Sequence, residues 1–99
     1  DKFAATGLTP VRSKLVDAPY VGEFPMVLEC KVIHHHEIGR HTHFIGEILD
    51  VKIEEEMLTG EGSPDIEKIR PIVYSPQVAQ YHGIGAFIGK AFEIGRKGQ

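Results

Sequence analysis

Residues 26–54, MVLECKVIHHHEIGRHTHFIGEILDVKIE, decide the architecture. Met26, Leu28, Cys30 and Val32 fall on one side of an extended chain, and Val27, Glu29, Lys31 and Ile33 on the other. This period of two is the mark of a half-buried strand over 26–38. The run continues through His34-His35-His36-Glu37, where residue type no longer tells which side is buried. Gly39-Arg40 supplies turn chemistry. Alternation resumes over 42–54: His43, Ile45, Glu47, Leu49, Val51 and Ile53 against Phe44, Gly46, Ile48, Asp50, Lys52 and Glu54. Two long alternating runs about a tight glycine turn make an antiparallel hairpin. Both strands are near the upper end of usual lengths, as in coiled barrel strands. Gly46 inside the second run signals a bulge, a sharp bend or the close approach of another backbone or ligand.

Working outward, residues 8–25 are broken by Pro10, Pro19, Gly22 and Pro25, so they read as irregular with short extended pieces such as Val11–Val16. Residues 1–7 read as the last turns of a helix stopped by Gly7. The chain opens on Asp1 rather than Met, with no signal-peptide pattern, and the expectation is a fragment of a longer chain. Beyond the hairpin, 54–64 is an acidic, glycine-containing loop. A short helix is expected over Asp65–Ile69, with Ser63 or Asp65 near its cap and Pro64 at its start. Pro71–Tyr74 is a short strand stopped by Ser75-Pro76, and Gln77–Gly83 forms another. Phe87, Ile88, Ala91 and Phe92 stand at helical spacing in the tail, with Gly89 weakening that helix by about 1 kcal/mol relative to alanine. The sum is a mostly antiparallel β protein with little helix. Its sheet edges require cover from an N-terminal half, a second subunit or both.

Ninety-nine residues make one small domain or a piece of a larger one. Hydrophobic content of 41% and charged content of 25% are those of an ordinary globular chain, which excludes collagen, a disordered tail and a coiled coil. No apolar run approaches the roughly 18–20 residues of a membrane span. A net charge of −3 argues against a phosphate-facing basic surface for nucleic acid. The single cysteine, Cys30, excludes an internal disulfide and a multi-cysteine zinc site, and fits a reducing compartment such as the cytoplasm.

Five of the six histidines lie between 34 and 43. In strands, His34 and His36 point one way, and His41 and His43 share a side. Across the hairpin these four can converge on one Zn²⁺, with Glu37 as a further ligand. The spacing matches no standard zinc signature, and the alternative is a solvated hairpin end paired with Glu37. Cys30 sits in the apolar stripe and reads as a small core residue. Ser13, Ser63 and Ser75 lie in no nucleophile elbow. Glu54, Glu55 and Glu56 read as a solvated strand end. Gly83, Gly85 and Gly89 lack the strand–loop–helix setting of a phosphate loop.

Several stretches, in order along nearly the whole chain, resemble the flavin reductase-like, FMN-binding family and its flavoredoxin branch. They are Lys2-Phe3-Ala4-Ala5-Thr6-Gly7-Leu8-Thr9-Pro10; Asp17-Ala18-Pro19-Tyr20-Val21 with Leu28-Glu29-Cys30-Lys31; and Gly39-Arg40-His41-Thr42-His43-Phe44-Ile45-Gly46-Glu47-Ile48. Pro71-Ile72-Val73-Tyr74, Tyr81-His82-Gly83-Ile84-Gly85 and Gly89-Lys90-Ala91-Phe92 complete the set. The resemblance implies an FMN-binding split β-barrel, of which residues 1–99 are the C-terminal part, forming a partial barrel. It implies a homodimer with the flavin near the subunit interface, acting in electron transfer or flavin reduction. It implies cofactor contacts at Lys2, His41 and Tyr74, and it assigns no catalytic residue. Arg40 stands where many family members carry an aspartate before the histidine, which leaves a protein electron donor beside NAD(P)H. Two other readings stand against this one: a metal-binding module on His34, His36, His41 and His43, and a non-catalytic half-barrel that pairs with another chain.

Overall fold

A computed structural model describes residues 1–96, which divide into a first unit, Asp1–Glu56, and a second beginning at Met57.

The first unit opens with the expected helix end, α1 (Lys2–Thr6). The Asp1 carboxylate accepts the Phe3 N–H at 2.9 Å, and Gly7, left-handed at φ 75°, returns its N–H to the Phe3 carbonyl at 3.0 Å. Two short strands follow, β1 (Pro10–Arg12) and β2 (Pro19–Val21), antiparallel with Val11 opposite Tyr20. The extended piece expected over Val11–Val16 therefore ends at Arg12. Its physical cause lies at Leu15, whose N–H donates to the Glu29 carboxylate at 3.0 Å instead of to a strand. Below this ladder Glu23 grips Thr9: its two carboxylate oxygens accept the Thr9 N–H and hydroxyl, each at 2.8 Å.

The hairpin is β3 (Met26–Ile38) and β4 (His41–Ile53), thirteen residues each. Ile38 faces His41 across a two-residue turn. Gly39 takes φ 58° while Arg40 stays out of the left-handed region, so the first turn position needs glycine. The register slips twice. Leu49 is the extra residue of β4 between the Glu29–Asp50 and Cys30–Ile48 pairs, and Ile33 the extra residue of β3 between Val32–Gly46 and His34–Ile45. Gly46 stands beside the second bulge, where a Cβ would meet the Cys30 Cβ at 3.4 Å. The bulges lie on opposite strands, so the second cancels the first and both ends keep one register.

These slips correct the two-sided reading of β4. Val51 and Ile53 face Leu28 and Met26, but His43, Ile45 and Glu47 face His36, His34 and Lys31. Directly opposed residues share a side of the sheet. One side therefore carries Met26, Leu28, Cys30, Val32, Ile48, Val51, Ile53 and Phe44; the other carries Glu29, Asp50, Lys52, Lys31, Glu47 and the histidines His34, His36, His41 and His43. The sorting into an apolar first side and a polar second side is strongest along the body of the hairpin; Val27, Ile38 and Ile45 also fall on the second side, and His35, Glu37 and Thr42 on the first.

In the second unit, Leu58 bridges Pro64 around a loop closed by Thr59, whose N–H donates to the Ser63 carbonyl at 2.7 Å. The short helix α2 (Ile66–Ile69) is capped by Asp65, which accepts from Glu67 and Lys68. Ser63 is not the cap, and Pro64 precedes the cap instead of opening the helix. Strands β5 (Ile72–Ser75) and β6 (Gln80–Gly83) pair with Tyr74 opposite Tyr81. The strand expected from Gln77 begins at Gln80, because Pro76–Ala79 forms the turn, with Ala79 at φ 52°. No α-helix forms over 85–95: Phe92 adopts φ 67°, and only a 3-10 turn, Ile94–Arg96, appears. A short helix depends on a packed apolar face, and Phe87, Ile88 and Phe92 are 72%, 87% and 88% exposed.

Among the described residues no apolar side chain is buried; Ser13 and Glu29 alone are. Cys30 is exposed and not a core residue. The strands form three two-stranded antiparallel ladders and no closed barrel. No described helix is long and apolar enough to cross a membrane.

Candidate functional site

Three exposed positions carry the expected cofactor contacts. Lys2 opens α1 and lines an open, apolar hollow of about 290 Å³ with Phe3, Thr6, Leu8 and Val21. His41 is the first residue of β4, at the hairpin tip, on the polar side. Tyr74 lies in β5, 52% exposed, its ring 5.3 Å from that of Tyr81 and tilted by 45°. Lys2 and His41 belong to the first unit, on separate elements, with no hydrogen bond or ion pair between them. Tyr74 belongs to the second unit. All three residues are exposed, and Tyr74 alone of them has a described ring contact, with Tyr81.

The histidines form a ladder at the hairpin tip. His36 and His43 are directly opposed, with ring centroids 6.4 Å apart, and His34 stacks on His36 at 5.6 Å. His35 lies on the apolar side with its ring 6.2 Å from Phe44. Glu37 pairs with Thr42 on that same side, so it cannot join the other four as a ligand. Among the described residues no group of three or more His, Cys, Asp or Glu side chains is placed to hold a metal ion.

Deeper on the polar side lies a network that residue-by-residue reading missed. Glu29, 2% exposed, accepts the Leu15 N–H and pairs with the Lys52 ammonium, which also reaches Asp50 at 2.8 Å. Lys52 stands 5.6 Å from the centroid of the Tyr20 ring. The Lys52 bond first, then the Leu15 amide, hold the Glu29 carboxyl below its ordinary 4.5, and Lys52 likewise holds Asp50 below 3.8. The Asp50 and Glu29 bonds raise Lys52. The Lys52 ammonium thus ties β2 to both hairpin strands, and the Glu29 carboxylate adds Leu15 of the 13–18 loop. Register counting supplies the signal: stepping back from the Gly39 turn sets Glu29 against Asp50, two like charges that demand a cation, and Lys52 is the diagonal neighbour.

Residues 1–82 match the flavin reductase like domain, and the chain belongs to that family. Within it, the relationship is to the flavoredoxins. Flavoredoxin of Desulfovibrio vulgaris (Miyazaki F) is 53% identical with a TM-score of 0.86, over 97% of this chain and 51% of that one. Flavoredoxin from Methanosarcina acetivorans is 31% identical with a TM-score of 0.77, over 89% of this chain and 47% of that one. Nitrilotriacetate monooxygenase component B from Bacillus cereus, 20% identical with a TM-score of 0.73 over 90% of this chain and 46% of that one, shares the fold. The split-barrel, mostly antiparallel class expected from sequence is the fold these proteins share. The chain spans about half the length of each, and 36% to 45% of the length of the curated relatives that it matches.

Proposed function

We propose that this chain is the C-terminal part of an FMN-binding flavoprotein that carries out electron transfer or flavin reduction. The likeness to a flavoredoxin, 53% identical at a TM-score of 0.86 over 97% of the chain, carries the reading. The donor set fits the cofactor chemically. Lys2 offers a cation beside an apolar hollow, suited to a phosphate or a ring oxygen. His41 offers a ring N–H to a flavin heteroatom, and Tyr74 a flat surface to cover an aromatic system. Bound FMN supplies the redox chemistry, and the protein binds, orients and shields it. On this reading the protein is a cytoplasmic homodimer that takes its electrons from NAD(P)H or from a donor protein.

The test is a fluorescence titration of FMN, FAD and riboflavin against the protein expressed from its whole gene. FMN fluorescence is expected to quench at a stoichiometric endpoint and the complex to be yellow. Lys2→Ala, His41→Ala and Tyr74→Ala should each weaken FMN roughly tenfold, equivalent to about 1.4 kcal/mol. Lys2→Ala should act on FMN far more than on riboflavin if the ammonium meets the phosphate. A well-folded protein that leaves all three flavins unquenched sinks the reading.

A further inference from the structure

We propose that the histidine side of the hairpin tip is a binding site for a divalent transition metal, with His36 and His43 as a cross-strand chelating pair. The inference is independent of the flavin reading. It starts from the bulge at Ile33, which turns His34 and His36 onto the side of the sheet that carries His41 and His43. Without that slip, His34 and His36 would continue the stripe of Met26, Leu28, Cys30 and Val32.

The geometry is that of a cross-strand chelate. His36 and His43 stand directly opposite each other, and directly opposed Cβ atoms in an antiparallel pair are roughly 4.5–5.5 Å apart. Two imidazoles binding one ion through nitrogens at about 2.1 Å place their ring centroids roughly 4.5–5.5 Å apart. The observed separation is 6.4 Å for His36–His43. A turn about the side-chain torsions closes the difference. Both residues are exposed, and neither side chain has a hydrogen bond or ion pair among the described residues. No carboxylate joins the pair, so water fills the remaining positions. Neutral imidazoles with water suit Cu²⁺, Ni²⁺ and Zn²⁺, with Cu²⁺ held most tightly, and disfavour Mg²⁺ and Ca²⁺, which require oxygen ligands.

Isothermal titration of tag-free, chelator-dialysed protein with Cu²⁺, Zn²⁺ and Mg²⁺ tests the site. One equivalent of Cu²⁺ is expected to bind more tightly than Zn²⁺, with no Mg²⁺ heat. His36→Gln and His43→Gln should each weaken Cu²⁺ at least tenfold. His35→Gln, on the other side of the same strand, and His82→Gln, in β6, should leave it unchanged. Electron paramagnetic resonance of the wild-type Cu²⁺ complex should show at least two coordinated imidazole nitrogens, a readout that needs no variant to fold. Saturable binding that survives the His36→Gln/His43→Gln double change overturns the proposal. So does a Cu²⁺ spectrum with fewer than two nitrogens, or a wild-type protein that fails to saturate below roughly millimolar Cu²⁺.

Discussion

Glu29 is the most buried side chain described, and it is a carboxylate. A buried charge is tolerable only with a counter-ion and with its oxygens occupied. Lys52 and the Leu15 amide meet both conditions. Removing one partner should therefore harm more than removing both. Lys52→Met is expected to lower the thermal midpoint more than the Lys52→Met/Glu29→Gln pair does, which a double-mutant cycle followed by circular dichroism measures. The same network fixes a pH dependence. Glu29 titrates below 4.5 in the folded chain and at about 4.5 when unfolded, so the unfolded chain binds more protons in between. The stabilisation is complete above 4.5 and is lost as pH falls through the folded value, with Asp50 adding the same sign below 3.8. Glu29→Gln should flatten the acid limb of a midpoint-against-pH profile below 4.5 and leave its slope near neutrality unchanged.

At the scale of elements, the turn and the caps carry separable energies. Gly39 holds φ 58° with open space around its Cβ position, so Gly39→Val introduces only backbone strain. It should destabilise by roughly 1–2 kcal/mol, measured by urea unfolding. Asp65→Ala removes a cap that accepts two amides of α2 and should cost about 1 kcal/mol, seen as faster amide exchange at Glu67 and Lys68. Much at this level was legible. Alternation and a glycine located the hairpin, Gly7 ended α1, and Asp65 was one of two candidates for the cap. The side assignment was not legible, because Ile33 and Leu49 are ordinary strand residues and nothing in their chemistry marks them as bulged. The tail misled for the opposite reason: helical spacing of Phe87, Ile88 and Phe92 is a necessary pattern, but no described surface packs against it.

At the scale of the whole molecule, the dominant fact is uncovered apolar surface. Leu28, Val32, Phe44, Ile48 and Val51 stand on one side of the long hairpin, each between 44% and 63% exposed. Exposed apolar area on that scale marks a surface meant to be covered. The expectation drawn from sequence concerned the edges of the sheet, and this uncovered face is a separate surface. What covers it was never readable from residue types, since an uncovered strand and a docked one share the same alternation. Ninety-nine residues by themselves are expected to associate: sedimentation should show size rising with concentration, and an environment-sensitive dye should bind strongly. Phe44→Glu with Ile48→Glu should reduce both signals. Lys2, His41 and Tyr74, by contrast, came from family likeness, because an exposed lysine, histidine or tyrosine has no periodicity to betray it.

The two slips in β3 and β4 also mark where this protein can change length. Each bulged residue is extra to the pairing, so excising Ile33 leaves His34 opposite Ile45 and His36 opposite His43 on the sides they already occupy. Excising Leu49 likewise leaves Asp50 opposite Glu29 and Ile48 opposite Cys30. What either excision takes away is a local kink and its added coiling. Natural variants of this hairpin should therefore shorten at either place singly, trading curvature without transposing a side chain.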